Sequence, residues 1–231
     1  MNKQTILEWI QQKEVLFYSI VALSLILSRV PIIGKFIKCV NTLIHESGHA
    51  FTALITSGSV LEVELLSDTS GSATIVSKSW IAKVLVSISG YVFSSAVSFG
   101  MLYLLKHNYF NHILYFLIGL AVFNLIFWVR NLYGIIWILI FGALCGGVLY
   151  LKNENLTLVW LIVVCTIVFS DALFSTIELL FISIMQPKKS SDAVNLAKST
   201  WLPAFIWALL FVGQAVGFAY LSVKMFSNGA L

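Results

Sequence analysis

Apolar and polar residues follow one another along this chain in long blocks. Seven blocks are almost wholly apolar, at about 15–33, 39–57, 80–105, 113–129, 132–151, 156–185 and 201–225, and short polar segments separate them. A helix needs about 20 apolar residues to cross a bilayer. The pattern therefore predicts an all-α polytopic membrane protein with six to seven transmembrane helices, in a single integral-membrane domain over residues 1–231.

Three polar stretches carry further information. Gly34, Lys35 and Lys38 are predicted to separate the first two spans, and residues 186–200 are predicted to form a polar loop before the last span. Residues 58–79 differ from the rest: Glu62 and Glu64 alternate with apolar residues, and the turn-forming cluster Ser67 to Gly71 and the β-prone run Ala73 to Val76 follow. A period of two is typical of strands. The segment predicts a small β-hairpin between the second span and the next helix.

The composition agrees with a chain that lipid solvates. Of its 231 residues, 59% are hydrophobic and 10% are charged, against about a quarter charged in an average soluble domain. The net charge is +4, and the basic residues are scattered along the sequence. These values exclude a soluble globular domain and a nucleic-acid-binding module, and they make the lipid bilayer the expected partner.

The second span contains the motif that carries chemistry, His45-Glu46-Ser47-Gly48-His49. Residues four apart lie on one helix face, so both imidazoles can bind one Zn²⁺. Glu46 lies beside the first of these ligands and can act as the general base on a zinc-bound water. Asn41 precedes His45 by one turn, where it could orient the ring or simply be a polar residue near a helix start.

This motif gives the chain its resemblance to the site-2-protease type of intramembrane zinc metallopeptidases, in particular to the compact bacterial branch. The resemblance extends over about residues 40–215. It rests on His45 to Ala50, Gly71, Ser89 to Tyr91, Arg130 to Gly134, Ser191 to Ala193, Thr200, Pro203 and Trp207. It implies that His45 and His49 are zinc ligands, that Glu46 is the base, and that a later helix supplies a third ligand. It also implies that the hairpin holds an unwound substrate.

The family's third ligand is commonly an Asp in a Leu-Asp-Gly motif, which this chain lacks. Asp171 lies within an apolar run and is the candidate that we select, because a carboxylate in hydrocarbon needs a cation. Glu178 shares its helix face and Asn131 begins an Asn-Leu-Tyr-Gly run, so both remain alternatives. His107 and His112 lie in a polar segment and are expected to be solvated.

The sequence thus predicts an integral multi-pass protein of the bacterial cytoplasmic membrane that hydrolyses a peptide bond in or near the membrane. Its metal ligands are His45, His49 and Asp171, its base is Glu46, and its cofactor is Zn²⁺. Its partner is a membrane-embedded or membrane-adjacent protein substrate. Two other functions stay open: a zinc-binding but non-proteolytic scaffold or regulator of the same family, and a small transporter in which Asp171 and Glu178 line an ion path.

Overall fold

The computed structural model describes residues 13–189 and 191–227, which form eight helices and two strands. In chain order these are α1 (Lys13–Leu27), α2 (Pro31–Ile55), β1 (Ser59–Leu65), β2 (Gly71–Val76), α3 (Trp80–Lys106), α4 (Phe110–Phe127), α5 (Leu132–Leu151), α6 (Glu154–Met185), α7 (Asp192–Thr200) and α8 (Ala204–Ser227). The predicted all-α fold with a small hairpin is confirmed.

Five of the helices are long and apolar enough to cross a membrane, namely α3, α4, α5, α6 and α8. Helices α1 and α2 pass the same test as a bent pair, which gives up to six spans. Backbone polar groups in hydrocarbon must be satisfied within the chain, and helices of this length do so. The protein is therefore an integral multi-pass membrane protein.

The break between α1 and α2 lies at residues 28–30, and the two helix axes are bent by 116° there. Pro31 starts α2, where its missing N–H removes no hydrogen bond. A Cβ atom on Gly34 would lie 2.7 Å from the Leu27 carbonyl oxygen, so this close turn requires glycine. The predicted separation at Gly34, Lys35 and Lys38 is therefore wrong: these residues lie inside α2.

The predicted hairpin is present as an antiparallel pair with Leu65 opposite Gly71 and Ser59 opposite Val76. The outer edge of β1 is covered, because Val63 N–H donates to the carbonyl of Trp128 at 2.9 Å. The Asn131 carboxamide hydrogen-bonds to the Leu65 N–H and carbonyl, so it covers the end of the same edge. Strand β2 therefore forms the open edge of the two-stranded sheet among the described residues.

The helices pack so that the motif-bearing part of α2 lies in the interior of the bundle. Helix α2 packs along α3 and against α6 and both strands, while α6 also contacts α1, α3 and α8. The inward face of α2 is buried, including Val40, Leu43, Ile44 and Ala50. Polar groups on this face are consequently held in fixed surroundings between helices rather than in bulk water.

Candidate metal centre

The two histidines of the motif meet as their spacing predicts. Four residues apart on α2, the His45 and His49 rings have centroids 4.6 Å apart, and their Nε2 atoms lie 3.0 Å apart. His49 is 5% exposed. Its Nδ1 donates to the Val86 carbonyl on α3 at 2.6 Å. This bond leaves Nε2 with a free lone pair, which is the form of imidazole that binds a metal.

A carboxylate from a distant part of the chain completes this group. Asp192 Oδ2 lies 3.2 Å from His45 Nε2 and 3.3 Å from His49 Nε2. Without a metal, burial raises the pKa of the Asp192 carboxyl, but the positive charge of His49 when it is protonated and the hydrogen bonds with both histidines lower it by more, so the pKa stays below its ordinary range. Asp192 is therefore held as the carboxylate anion, the form that binds metal ions.

Asp192 owes its position to α7. Ser191 caps this helix by accepting the Val194 N–H at 3.3 Å. The apolar face of α7 is buried through Ala193, Val194 and Leu196, mainly against α3 and α8 and also against α6. Two tryptophan indoles fix the other end of α7, from Trp80 to the Ser199 carbonyl and from Trp207 to the Thr200 hydroxyl. Asp192, the first residue of α7, thus faces the two histidines.

The three ligand atoms suit a metal ion in number, kind and spacing. They all lie within 4.8 Å of one another. Ligands about 2.0–2.1 Å from a tetrahedral Zn²⁺ are about 3.3–3.4 Å apart, close to the observed separations. Catalytic zinc sites commonly have three protein ligands and one open position. The group of His45, His49 and Asp192 could therefore hold a metal ion.

Gly90 on α3 allows this group to form. A Cβ atom at this position would lie 2.5 Å from His49 Nε2 and 2.6 Å from His45 Nε2. Any larger residue would displace the rings from each other or from α3. Next to it, the Tyr91 ring packs edge-on against His45 at a centroid distance of 4.5 Å. Helix α3 thus forms one wall of the candidate metal centre.

Glu46 lies on the adjacent face of α2 and is 6% exposed. Its side chain abuts the start of β2, because a Cβ atom on Gly71 would lie 3.1 Å from Glu46 Oε1. One turn earlier, the Thr42 hydroxyl donates to the Thr69 carbonyl in the hairpin turn at 2.7 Å. The hairpin is thereby fixed to α2 beside the predicted base.

The structure places Asp171 in a different group. Asn41 Nδ2 donates to Asp171 Oδ2 at 3.0 Å, and Lys38 Nζ lies 3.8 Å from Asp171 Oδ1. The residues whose ligand atoms converge are His45, His49 and Asp192, and Asp171 is not among them. Asn41 accordingly contacts Asp171 on α6 rather than orienting His45. Lys38 supplies the cation that a carboxylate at this depth needs.

The other candidates also lie outside the group. Asn131 binds the last residue of β1 with its whole amide: Nδ2 donates to the Leu65 carbonyl at 2.6 Å and Oδ1 accepts the Leu65 N–H at 3.2 Å. Glu178 is exposed on α6. His107 and His112 are exposed, as expected, although His112 lies within α4. Asp171 and Glu178 thus have different surroundings.

Asp192 was missed because residues 186–200 were predicted to be a loop, whereas they contain α7. The sequence did carry a signal. Ser191 followed by Asp192 is typical of a helix N-terminus, and the same pair belongs to the residues that carry the family resemblance. Helix α7 is too short and too polar to stand out by hydrophobicity.

Comparison with known proteins agrees with this geometry. The family model described as Peptidase M50B-like matches residues 17–222. This range includes both strands and the three residues of the candidate metal centre. No curated protein and no solved structure matches the chain. The family match covers most of the chain, and the protein therefore belongs to the Peptidase M50B-like family of site-2-protease-like membrane metallopeptidases.

Proposed function

We propose that this protein is an intramembrane zinc metalloprotease that cleaves a membrane-embedded or membrane-adjacent protein. The observation that carries the proposal is the convergence of two imidazole nitrogens and one carboxylate oxygen within 4.8 Å. Helix α2, which carries the two histidines, also bears Glu46, buried at the next position after His45. Polar groups at this depth are expensive, so such an arrangement indicates a function.

His45, His49 and Asp192 would hold the metal, and Asp192 replaces Asp171 in our assignment of the third ligand. A Zn²⁺ ion bound there would supply Lewis-acid polarisation of a water molecule and of the scissile carbonyl. The hydrogen bond from His49 Nδ1 to the Val86 carbonyl fixes the ring and keeps Nε2 directed at the site.

Glu46 would act as the general base and then as the general acid. Its carboxylate accepts a proton from the attacking water and passes it to the amine that leaves. The contact with Gly71 limits where its carboxylate can move. The base is thereby kept beside the start of β2.

The open edge of β2 is the place where we expect the substrate to bind. A peptide within a helix has its carbonyls engaged, so a spanning substrate must unwind before it is cut. Adding the unwound segment as a strand would satisfy its backbone groups. Strand β1 is not available for this pairing, because its outer edge is covered at Val63 and Leu65.

The hydrogen-bond pattern of the hairpin indicates which groups are available. The Leu66 N–H donates to the Ser70 carbonyl at 2.8 Å. Bonding alternates along antiparallel strands, so Gly71 and Ala73 direct their N–H and C=O groups away from β1. A strand bound to Gly71 would pass directly beside Glu46.

Glu46→Gln tests the proposal, because the amide cannot accept the proton while the three metal ligands remain. We would express wild type, Glu46→Gln and the exposed control His107→Ala, and map new N-termini in the membrane proteome by mass spectrometry. Termini in or beside spanning segments should arise with wild type and His107→Ala only. Equal cleavage with Glu46→Gln would refute the assignment of the base. Stoichiometric zinc without any cleavage would favour the non-proteolytic scaffold.

A further inference from the structure

Four exposed apolar side chains lie where α3 and α8 begin. Trp80 and Ile81 are the first two residues of α3, and Trp201 and Leu202 lie in the turn between α7 and α8. All four are exposed. The Trp80 indole N–H donates to the Ser199 carbonyl, so the start of α3 and the end of α7 are in contact. These four side chains form what we call the Trp201 surface.

The backbone conformation of Trp201 is unusual for its residue type. Its φ of 66° and ψ of −4° lie in the left-handed region that ends α7, where glycine or asparagine is the common residue. A bulky residue pays a steric cost there. Because Trp201 is 99% exposed, its ring gains no packing within the described part of the chain to offset this cost. A large ring held in this way indicates a contact outside the chain.

Lysines surround the Trp201 surface. Lys78 and Lys83 flank the start of α3, Lys198 lies in the last turn of α7, and all three are exposed. None of them forms an ion pair with a described residue. No Asp or Glu occurs at positions 69–153 or after Asp192, so α3 and α8 carry no acidic residue. The positive ends of the α3 and α8 dipoles add to the potential at this surface.

Anionic phospholipid headgroups fit this combination better than a protein partner does. Helix α3 has 27 residues, so it is about 40 Å long, close to the thickness of a bilayer with its headgroups. Trp80, at its first position, therefore lies at headgroup level, where tryptophan is enriched in membrane proteins. Phosphate groups at this level can neutralise the lysines while the apolar side chains contact the acyl boundary.

We propose that the Trp201 surface, together with Lys78, Lys83 and Lys198, binds anionic phospholipid headgroups and thereby fixes the end of α7. The link is the bond from Trp80 to Ser199 and the position of Trp201 directly after α7. Asp192 begins the same nine-residue helix. A lipid that fixes one end of α7 therefore favours the position of the third ligand at the other end. This consequence rests on the proposed function, whereas the binding of headgroups does not.

Amide hydrogen exchange of α7 tests the proposal on the zinc-free full chain in nanodiscs. One set contains phosphatidylcholine alone, and in the other phosphatidylglycerol replaces part of it. One lysine near an anionic surface strengthens binding about fivefold, so α7 should exchange at least about fivefold more slowly in the anionic set. The triple variant Lys78→Gln, Lys83→Gln, Lys198→Gln should lose this difference. Lys152→Gln, which removes an exposed lysine at the end of α5, should keep it.

Trp201→Gly separates the role of the ring from that of the charges. Glycine suits the left-handed conformation, so in detergent α7 of this variant should exchange as slowly as in wild type, or more slowly. In anionic nanodiscs its α7 should exchange faster than that of wild type, because the ring no longer reaches the lipid. Exchange in anionic nanodiscs as slow as in wild type would overturn the role of Trp201.

Equal exchange of α7 in the two sets of nanodiscs would overturn the proposal and leave the Trp201 surface to a protein partner. A difference that the triple lysine variant retains would also overturn it. Equal protection by inorganic phosphate in neutral nanodiscs would show a site for soluble anions instead of lipid. Zinc affinity, measured separately, should rise in anionic nanodiscs together with the protection of α7. Protection without any gain in zinc affinity would contradict Asp192 as a ligand and leave lipid binding confirmed.

Discussion

Exchanging Asp192 for alanine should weaken zinc binding far more than the same exchange at Asp171. Asp192 Oδ2 lies within 3.3 Å of both imidazole Nε2 atoms. Asp171 instead accepts a hydrogen bond from Asn41. Zinc sites with four protein ligands have binding free energies of about 10–16 kcal/mol, or about 2.5–4 kcal/mol per ligand. Losing one ligand should therefore weaken binding by about 10²–10³-fold.

The assay is competition with a metallochromic chelator on detergent-purified protein, with zinc content measured by mass spectrometry. Asp171→Ala is the matched control, since it also removes an aspartate whose side chain is mostly buried, 19% exposed against 18% for Asp192. It breaks the contact between α2 and α6 without removing a ligand, so its zinc affinity should stay within about tenfold of wild type. Equal monodispersity in size-exclusion chromatography would show that both variants are folded.

Two results would refute this reasoning. If Asp192→Ala keeps wild-type affinity, the convergence of its carboxylate with the histidines has no role in binding. If Asp171→Ala loses zinc to the same extent, the sequence-based choice of third ligand is correct after all. A third ligand from α6 would then have to replace the hydrogen bond that Asp171 now accepts from Asn41.

Two further predictions concern the walls of the site. Gly90→Ala should prevent stoichiometric zinc binding, because its Cβ would lie 2.5–2.6 Å from the imidazole nitrogens. Gly100→Ala is the control, because a Cβ there meets nothing within 4 Å, and this variant should bind zinc like wild type. A zinc content of Gly90→Ala equal to that of Gly100→Ala, measured by mass spectrometry, would contradict this prediction. Asn131→Ala removes both bonds to the end of β1 and should destabilise the hairpin locally by about 1–3 kcal/mol. Amide hydrogen exchange in β1 should then accelerate while exchange in α5 stays unchanged, and unaltered β1 exchange would argue against this anchor.

Hydrophobicity predicts most of this fold because the bilayer imposes a length on each span. The predicted spans at 80–105, 113–129, 132–151, 156–185 and 201–225 correspond to α3, α4, α5, α6 and α8. The error at the first break has a physical reason. Lys35 and Lys38 look like the end of a span, but a helix can carry them where Lys38 meets Asp171. Pro31, which starts α2, is the stronger signal.

The candidate site was predictable to the extent that it is local. His45, Glu46 and His49 are arranged by helix geometry alone, so their spacing suffices. The third ligand depends on how α7 folds back onto α3 and α8, which no spacing encodes. Asp171 and Asp192 both lie in a Ser-Asp-Ala sequence. Apolar flanks favoured Asp171 as the buried carboxylate, although a lysine on a neighbouring helix already compensates its charge.

Because Asp192 is the first residue of α7, metal binding and the docking of this helix are linked. A metal that binds only when Asp192 meets the two histidines stabilises that arrangement by about 4 kcal/mol at a free metal concentration 1,000 times Kd. Without the metal, α7 depends on the burial of Ala193, Val194 and Leu196 and on its two tryptophan contacts. It follows that the local stability of α7, rather than that of the spanning helices, should respond to zinc. Helix α7, which the sequence pattern did not predict, is thus the element whose local stability reports metal occupancy.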